Sequence, residues 1–232
     1  MRSLVVRSRE EEQMDAADLP AADYAAVLAD LARVNRVTMS ARPTTHFLAR
    51  ATRGRTSFRL LDIGFGEGDM LRAIARWAQR RGIAADLVGV DLNPNSAPAA
   101  AAVTPAEMRI DYRSGDYADL AGQGWDCVVS SFVTHHMSDA QILAYLRFSE
   151  EQSALGWFVN DLHRHRFAYQ GFPLLARLFG WHRIVREDGQ LSIARSFRRP
   201  EWRGLIAAAG LDPAAVRVVR RFPFRLCVER LR

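Results

Sequence analysis

Apolar residues along this chain alternate between short continuous runs and helical spacing. Tyr24, Val27, Leu28, Leu31, Val34 and Val37 recur at intervals of three and four, which predicts a helix after Pro20, and a second amphipathic stretch covers Thr45–Thr52. Arg59–Ile63 is an apolar run broken by Asp62, the pattern of a strand buried on both faces. Met70–Arg81 returns to helical spacing and Gly82 stops it. Further strands are predicted at Asp86–Asp91, Met108–Arg113, Trp125–Ser130 and Gly156–Asp161, with a short helix through Ala99–Ala102 and another over Asp139–Glu150 behind a Ser138/Gln141 capping box. Alternation of this kind folds as a doubly wound α/β sheet. After the fifth strand the regularity breaks. Phe167–Trp181 reads as an aromatic-rich helical insert and Arg186–Gln190 as a loop. A helix over Glu201–Ala209, bracketed by Pro200 and Gly210, then leads to two closing strands, Val216–Arg221 and Phe224–Glu229.

Chemistry enters at the turn after the first strand, Gly64-Phe65-Gly66-Glu67-Gly68. Alternating glycines let backbone approach a ligand closely and adopt unusual φ angles cheaply, so the unit reads as a nucleotide cradle. The dinucleotide fingerprint requires glycine three positions after Gly66, where Asp69 stands. Asp62, Glu67 and Asp69 would also oppose a pyrophosphate. A cationic adenosyl ligand without phosphate, S-adenosylmethionine, suits this turn.

The pattern Asp62-x-Gly64-x-Gly66-x-Gly68 behind a hydrophobic strand resembles motif I of class I S-adenosylmethionine-dependent methyltransferases. The resemblance implies a Rossmann-like seven-stranded sheet with an antiparallel last strand over about Phe58–Leu231. A looser likeness, over Asp188–Phe197, is to ubiquinone-biosynthesis-like and natural-product methyltransferases, which act on small molecules. Residues 1–57 would then be an N-terminal helical segment, either lying over the acceptor pocket or packing on the sheet edge. Residues 58–232 would be the methyltransferase domain, with 163–197 as an acceptor-side insert.

Site residues follow from register. Asp62, Gly64, Phe65, Gly66 and Gly68 form the cradle, and Asp91, 29 positions after Asp62 at the end of the second strand, can accept from ribose hydroxyls, with Leu92 beside it. The resemblance implies that Asp116 accepts from the adenine amino group and Tyr117 packs on the ring; a plain polar turn is the alternative. Ser131 ends the fourth strand, and His135 and His136 follow in the crevice where open α/β sheets bind ligands. His136, His135 and His163, in that order, are candidates for the base that deprotonates a phenol or enol. Asp161, His163 and His165 alternate as metal ligands do, but the spacing fits no familiar metal site and no metal is expected.

Composition narrows the classes. All 32 basic residues are arginine, and the net charge of +6 reflects dispersed residues more than a stripe built for nucleic acid, which is not an expected partner. The 232 residues suit one domain, the two cysteines form no Cys-x-x-Cys pair, and no membrane span or leader is legible. The expected protein is cytoplasmic, with room for a homodimer, and methylates a small apolar or aromatic metabolite, most readily on oxygen. Two alternatives stay open: an NAD(P)-dependent oxidoreductase and a non-catalytic cofactor-binding relative.

Overall fold

A computed structural model describes residues 4–16 and 19–232. Of the acidic arm at the N-terminus, positions 1–3 and 17–18 lie outside the described residues. Helices α1 (Ala21–Val37) and α2 (Ala41–Ala51) precede β1 (Ser57–Ile63), α3 (Asp69–Arg80), β2 (Ala84–Asp91), α4 (Ser96–Ala102), β3 (Asp111–Ser114) and β4 (Trp125–Ser131). Then come α5 (Asp139–Gln152), β5 (Ser153–Leu162), α6 (Arg166–Leu178), α7 (Arg183–Arg195), α8 (Arg199–Ala208), β6 (Val216–Arg221) and β7 (Arg225–Leu231). The seven strands lie in the order β3-β2-β1-β4-β5-β7-β6, with β7 antiparallel to both neighbours. This is the doubly wound sheet expected from the alternation of runs and helical periods. Among the described residues no helix is long and apolar enough to cross a membrane.

The period-two geometry of strands distributes each central strand between two cores. Leu61, Val128, Trp157 and Val159 join Ile142, Tyr145, Trp202 and Ile206 on one face. Leu60, Cys127, Val129 and Phe158 join Phe47, Leu48, Ile74 and Trp77 on the other. Both cysteines are buried and free there. Asp62 stands among these apolar positions, paired in register with Gly89 and Val129.

Two corrections to the predicted elements matter for the site. The residues read as a loop, Arg186–Gln190, are helical and belong to α7. Gly189 is there for contact: a Cβ at that position would come within 2.0 Å of the Phe172 ring, so the glycine lets α6 and α7 pack as a close hairpin. Asp188, which looked like a turn residue, is buried and accepts from the Met14 backbone N–H at 3.0 Å. A third apolar cluster, with Val27, Val34, Ala176, Trp181, Ile184 and Val185, ties this hairpin to α1.

Candidate active site

Each parallel strand of the sheet's centre ends at one edge, and the turns after β1, β2, β3 and β4 open there onto a cavity of about 950 Å³. The glycine turn is shaped by its neighbours. Gly64 has φ 74° and a Cβ there would lie 2.4 Å from Val133 Cγ2; Gly68, with φ 77°, caps α3 under Tyr112, whose hydroxyl would be 2.4 Å from such a Cβ. Side chains are therefore excluded at both positions by strain and by contact. Gly66 N–H donates to Asp91 Oδ2 at 2.9 Å, and Asn93 N–H to Asp91 Oδ1 at 2.9 Å, so Asp91 fixes the turn against β2 while its carboxylate lines the cavity. Burial raises its pKa, against the pull of those two N–H groups.

Of the residues expected at the cofactor, Gly64, Phe65, Gly66, Asp91, Leu92, Asp116, Tyr117 and Ser131 line the cavity. Asp62 and Gly68 are not among the lining residues: Asp62 is buried in β1, and Gly68 closes the turn at the start of α3. Asp62 is fully buried, both its carboxylate oxygens lack a hydrogen-bond partner, and burial together with Asp69 and Asp91 pushes its pKa well up. Asp116 caps the short Tyr117–Leu120 turn by accepting from Ala118 N–H at 2.9 Å. Tyr117 meets Phe148 edge-on, with ring centroids 4.9 Å apart.

The opposite wall is built from sequence-distant parts. His135 is buried; its Nδ1 lies 2.7 Å from Asp161 Oδ1, and Asp161 also accepts from the Thr134 hydroxyl and the His135 N–H. A carboxylate only accepts, so His135 carries a proton on Nδ1 and turns Nε2 away from Asp161. Burial alone would raise the Asp161 pKa, but His135 and these hydrogen bonds outweigh it and hold the carboxyl below its usual value. His136 Nδ1 is held by Asp15 Oδ2 at 2.8 Å. Glu12 sits between the imidazoles, with carboxylate oxygens 3.6 Å from His135 Nε2 and 3.9 Å from His136 Nε2. Burial pushes Glu12 up to about 7.

Glu12 and Asp15 belong to an N-terminal strap. Arg7 donates to the carbonyls of His135 and Met137 at 2.8 Å each, Ser8 N–H donates to Ala194 O at 3.0 Å, and Arg195 Nη1 donates to Glu10 O at 2.5 Å. Sequence reading missed both acids because a run of carboxylates near a terminus carries no signal of where it docks. His163, the third candidate base, does not line the cavity. It is buried beside Arg220, His165, Arg198 and Arg164, and burial with those charges lowers its pKa to about 4. Nor does it group with Asp161, whose carboxylate is taken by His135. Glu12, His135 and His136 offer ligand atoms within 4.8 Å of one another and could hold an ion, although Arg195 Nε, 3.6 Å from Glu12, adds positive charge that opposes a cation.

Helix α1 lies across the cavity with Tyr24, Leu28, Leu31 and Asn35, and Asn35 bonds Asp69 at 3.1 Å. Phe167, Phe172 and Leu175 of α6 with Phe132 and Phe224 complete the apolar side, where the Arg225 guanidinium lies over the Phe132 ring, 4.7 Å from its centroid.

Comparison with known proteins places this architecture. A family model described as a methyltransferase domain matches residues 60–151. Sheet order and glycine turn have the Rossmann-like fold of class I methyltransferases, and the family match covers the part of the chain from β1 to α5. Among solved structures, the chain is similar to magnesium protoporphyrin IX methyltransferase of Synechocystis PCC 6803 with bound SAH, at 14% identity and TM-score 0.56, over 86% of this chain and 84% of that one. It is also similar to human N-acetylserotonin methyltransferase in complex with SAM, at 14% identity and TM-score 0.61, over 92% of this chain and 56% of that one. A third is N,N-8-amino-8-demethyl-D-riboflavin dimethyltransferase of Streptomyces davawensis, at 19% identity and TM-score 0.56, over 85% of this chain and 54% of that one. The chain thus spans little more than half of these last two enzymes. No curated protein matches the sequence.

Proposed function

We propose that this protein is an S-adenosylmethionine-dependent methyltransferase of a small, largely apolar or aromatic metabolite, with oxygen as the acceptor atom. The cofactor fits the residues present. Asp69 and Asp91 line the cavity and the buried, unpartnered carboxyl of Asp62 interacts electrostatically with both, a cluster of acids that suits a ligand bearing positive charge and disfavours a dinucleotide pyrophosphate. Gly64–Gly66 would take its amino acid end, Asp91 the ribose, and Asp116 with Tyr117 the adenine. Bound there, S-adenosylmethionine supplies an electrophilic methyl group on a cationic sulfur.

The observation that carries the acceptor chemistry is the Asp161–His135 pair, which sets the His135 imidazole on the wall of the cavity opposite the glycine turn. His135 Nε2 takes the proton of the acceptor hydroxyl, the O–H electron pair stays on oxygen as nucleophile, and Asp161 holds the imidazolium that results. His136, oriented by Asp15, is a second wall of the same kind, and Glu12 adds negative charge beside both rings. Apolar walls from α1 and α6 exclude water and hold the acceptor in line, which is where most of the acceleration of such a displacement arises.

Native mass spectrometry of the purified protein tests the cofactor, and turnover of a panel of phenols and enols tests the acceptor. Retained adenosylhomocysteine and methyl ethers are expected. Binding of NADH in preference to adenosylhomocysteine would overturn the assignment, and methylation confined to amines or carbon would overturn the choice of oxygen.

A further inference from the structure

Helix α6 is apolar on both of its sides. Phe172 and Leu175 turn toward the cavity and Ala176 is buried, yet Leu174 is 67% exposed, Leu178 80%, Phe167 71%, and Phe179 just beyond the helix 49%. A surface helix ordinarily turns a polar face to water. Beside it, the turn joining β6 to β7 carries Phe222, 77% exposed, and Phe224, 42% exposed. The two segments meet at His165, whose ring lies 5.2 Å from that of Phe224 and 5.5 Å from that of Phe167. Exposed apolar side chains of this number on adjoining elements mark a contact face.

Charge selects what the face contacts. Arg166 and Arg177 lie on α6, Arg220 and Arg221 run up to the Phe222–Phe224 tip, and neither 166–180 nor 216–227 contains an acidic residue. Among the described residues none of these four arginines is in an ion pair. A second copy docking by the same face would set this patch against its own image, arginine facing arginine with no carboxylate between. An anionic lipid surface answers both features at once. Phenylalanine and leucine enter the boundary between headgroups and acyl chains, while arginine stems lie along it and their guanidiniums reach phosphate. Phe167, Gly171 and Phe224 belong to the cavity wall and to the exposed surface together, so the face is continuous with the acceptor side of the cavity.

We propose that α6 and the β6–β7 turn dock on a membrane surface carrying anionic lipid, and that the acceptor is lipid-soluble and reaches the cavity from that surface. The second half of this rests on the acceptor-side reading given above; the docking itself does not. Each cation near such a surface raises partitioning about fivefold.

Co-sedimentation of the full chain with phosphatidylcholine vesicles, with and without phosphatidylglycerol, tests the docking without any acceptor. The chain is expected to pellet with the mixed vesicles and to be released by high salt. Leu174→Ser with Leu178→Ser, and separately Arg220→Gln with Arg221→Gln, should each weaken this at least tenfold. None of these four residues lines the cavity, so circular dichroism and adenosylhomocysteine binding should stay as in the parent. A parent chain that remains in the supernatant with both vesicles overturns the proposal, as does vesicle binding that survives both double variants or that is equal without phosphatidylglycerol. A dimer in sedimentation equilibrium that Leu174→Ser with Leu178→Ser dissociates would reassign the face to self-contact. Loss of adenosylhomocysteine binding in the parent would instead sink the methyltransferase reading and leave the docking standing.

Discussion

The two walls of the cavity are built by different means. On the cofactor wall, Gly64, Gly66, Asp91 and Asn93 lie within 30 positions of one another, and the longest hydrogen bond among them joins residues 25 apart. On the acceptor wall, His136 is held by Asp15 across 121 positions, His135 O by Arg7 across 128, and Arg195 reaches Glu10 across 185. The first wall is a local motif that the β1–α3–β2 unit forms as it folds. The second exists only once the strap, the α6–α7 hairpin and the end of β4 have come together, so its chemistry depends on the most weakly specified parts of the chain.

Substitutions that uncouple the walls sharpen this contrast. The largest effect is expected from His135→Gln, which keeps the ring's size and hydrogen-bonding capacity roughly but removes the base. Turnover should fall by roughly 10²- to 10⁴-fold while adenosylhomocysteine affinity stays unchanged in calorimetry. His136→Gln should cost less. If the order is reversed, the partly buried imidazole held by the strap is the base and the fully buried one a support.

Asp91→Ala probes the other wall. Loss of a charged acceptor that also fixes Gly66 and Asn93 should weaken cofactor binding by roughly 1.5 to 3 kcal/mol, about 10- to 150-fold. The rate at saturating cofactor should barely move. Equal losses in affinity and saturated rate would mean that the walls are not separable.

How much of this was legible in the sequence follows the same division. The positions of the strands along the chain and the glycine turn could be read because a parallel strand buried on both faces and a motif of three glycines leave local marks, while the order of the strands in the sheet came from the fold. Asp91 could be placed by register alone. The sequence also marked the His135–His136 pair, through its position after β4. It did not mark Asp161 as the partner of His135, because alternation along β5 suggested His163 on the same side; His163 instead bridges Phe197 beyond the end of β5 and sits beside Arg220 and Arg198. Glu12 and Asp15 were illegible because docking of an extended strap has no periodicity. Arg186–Gln190 misled in the opposite direction: Asp-Gly reads as a turn, but here Phe172 packs onto Gly189 and Asp188 receives the strap.

That last contact gives a stability test of the acceptor wall. Gly189→Ala drives a methyl into the Phe172 ring, and overpacking of this kind costs about 1 to 3 kcal/mol. Urea denaturation should show it as a lower midpoint, with cofactor affinity retained because α7 does not touch the glycine turn. A variant as stable as the parent would mean that the hairpin opens freely from α6.

The smallest expected effect concerns the strap itself. Burial holds Glu12 at about 7, above the ordinary 4.5 of a glutamate. For such a group the neutral form is favoured by folding, so its contribution to stability is fully present below about pH 4.5 and is lost as pH rises through about 7. Asp15 and Asp161 act the other way: their lowered values give stability that is present above the ordinary carboxylate range and lost only in acid. Between pH 5 and 8 both stay ionised. Glu12 lowers stability as pH rises towards about 7, and the raised acids Asp62, Asp69 and Asp91 act in the same sense, while His163, held down at about 4, adds stability as pH rises to its ordinary 6.5 and offsets them. Tm should therefore fall most clearly above about pH 6.5, where the His163 contribution is complete. Glu12→Gln, which keeps a neutral polar side chain opposite Ser192 and the imidazoles, should remove part of the fall, roughly 2 to 4 °C, while adenosylhomocysteine, if it carries its amino group onto the acidic turn, removes the other part in either protein. Additive flattening by variant and ligand would show the walls titrating independently; a variant that flattens nothing would mean that the strap leaves its site before Glu12 ionises.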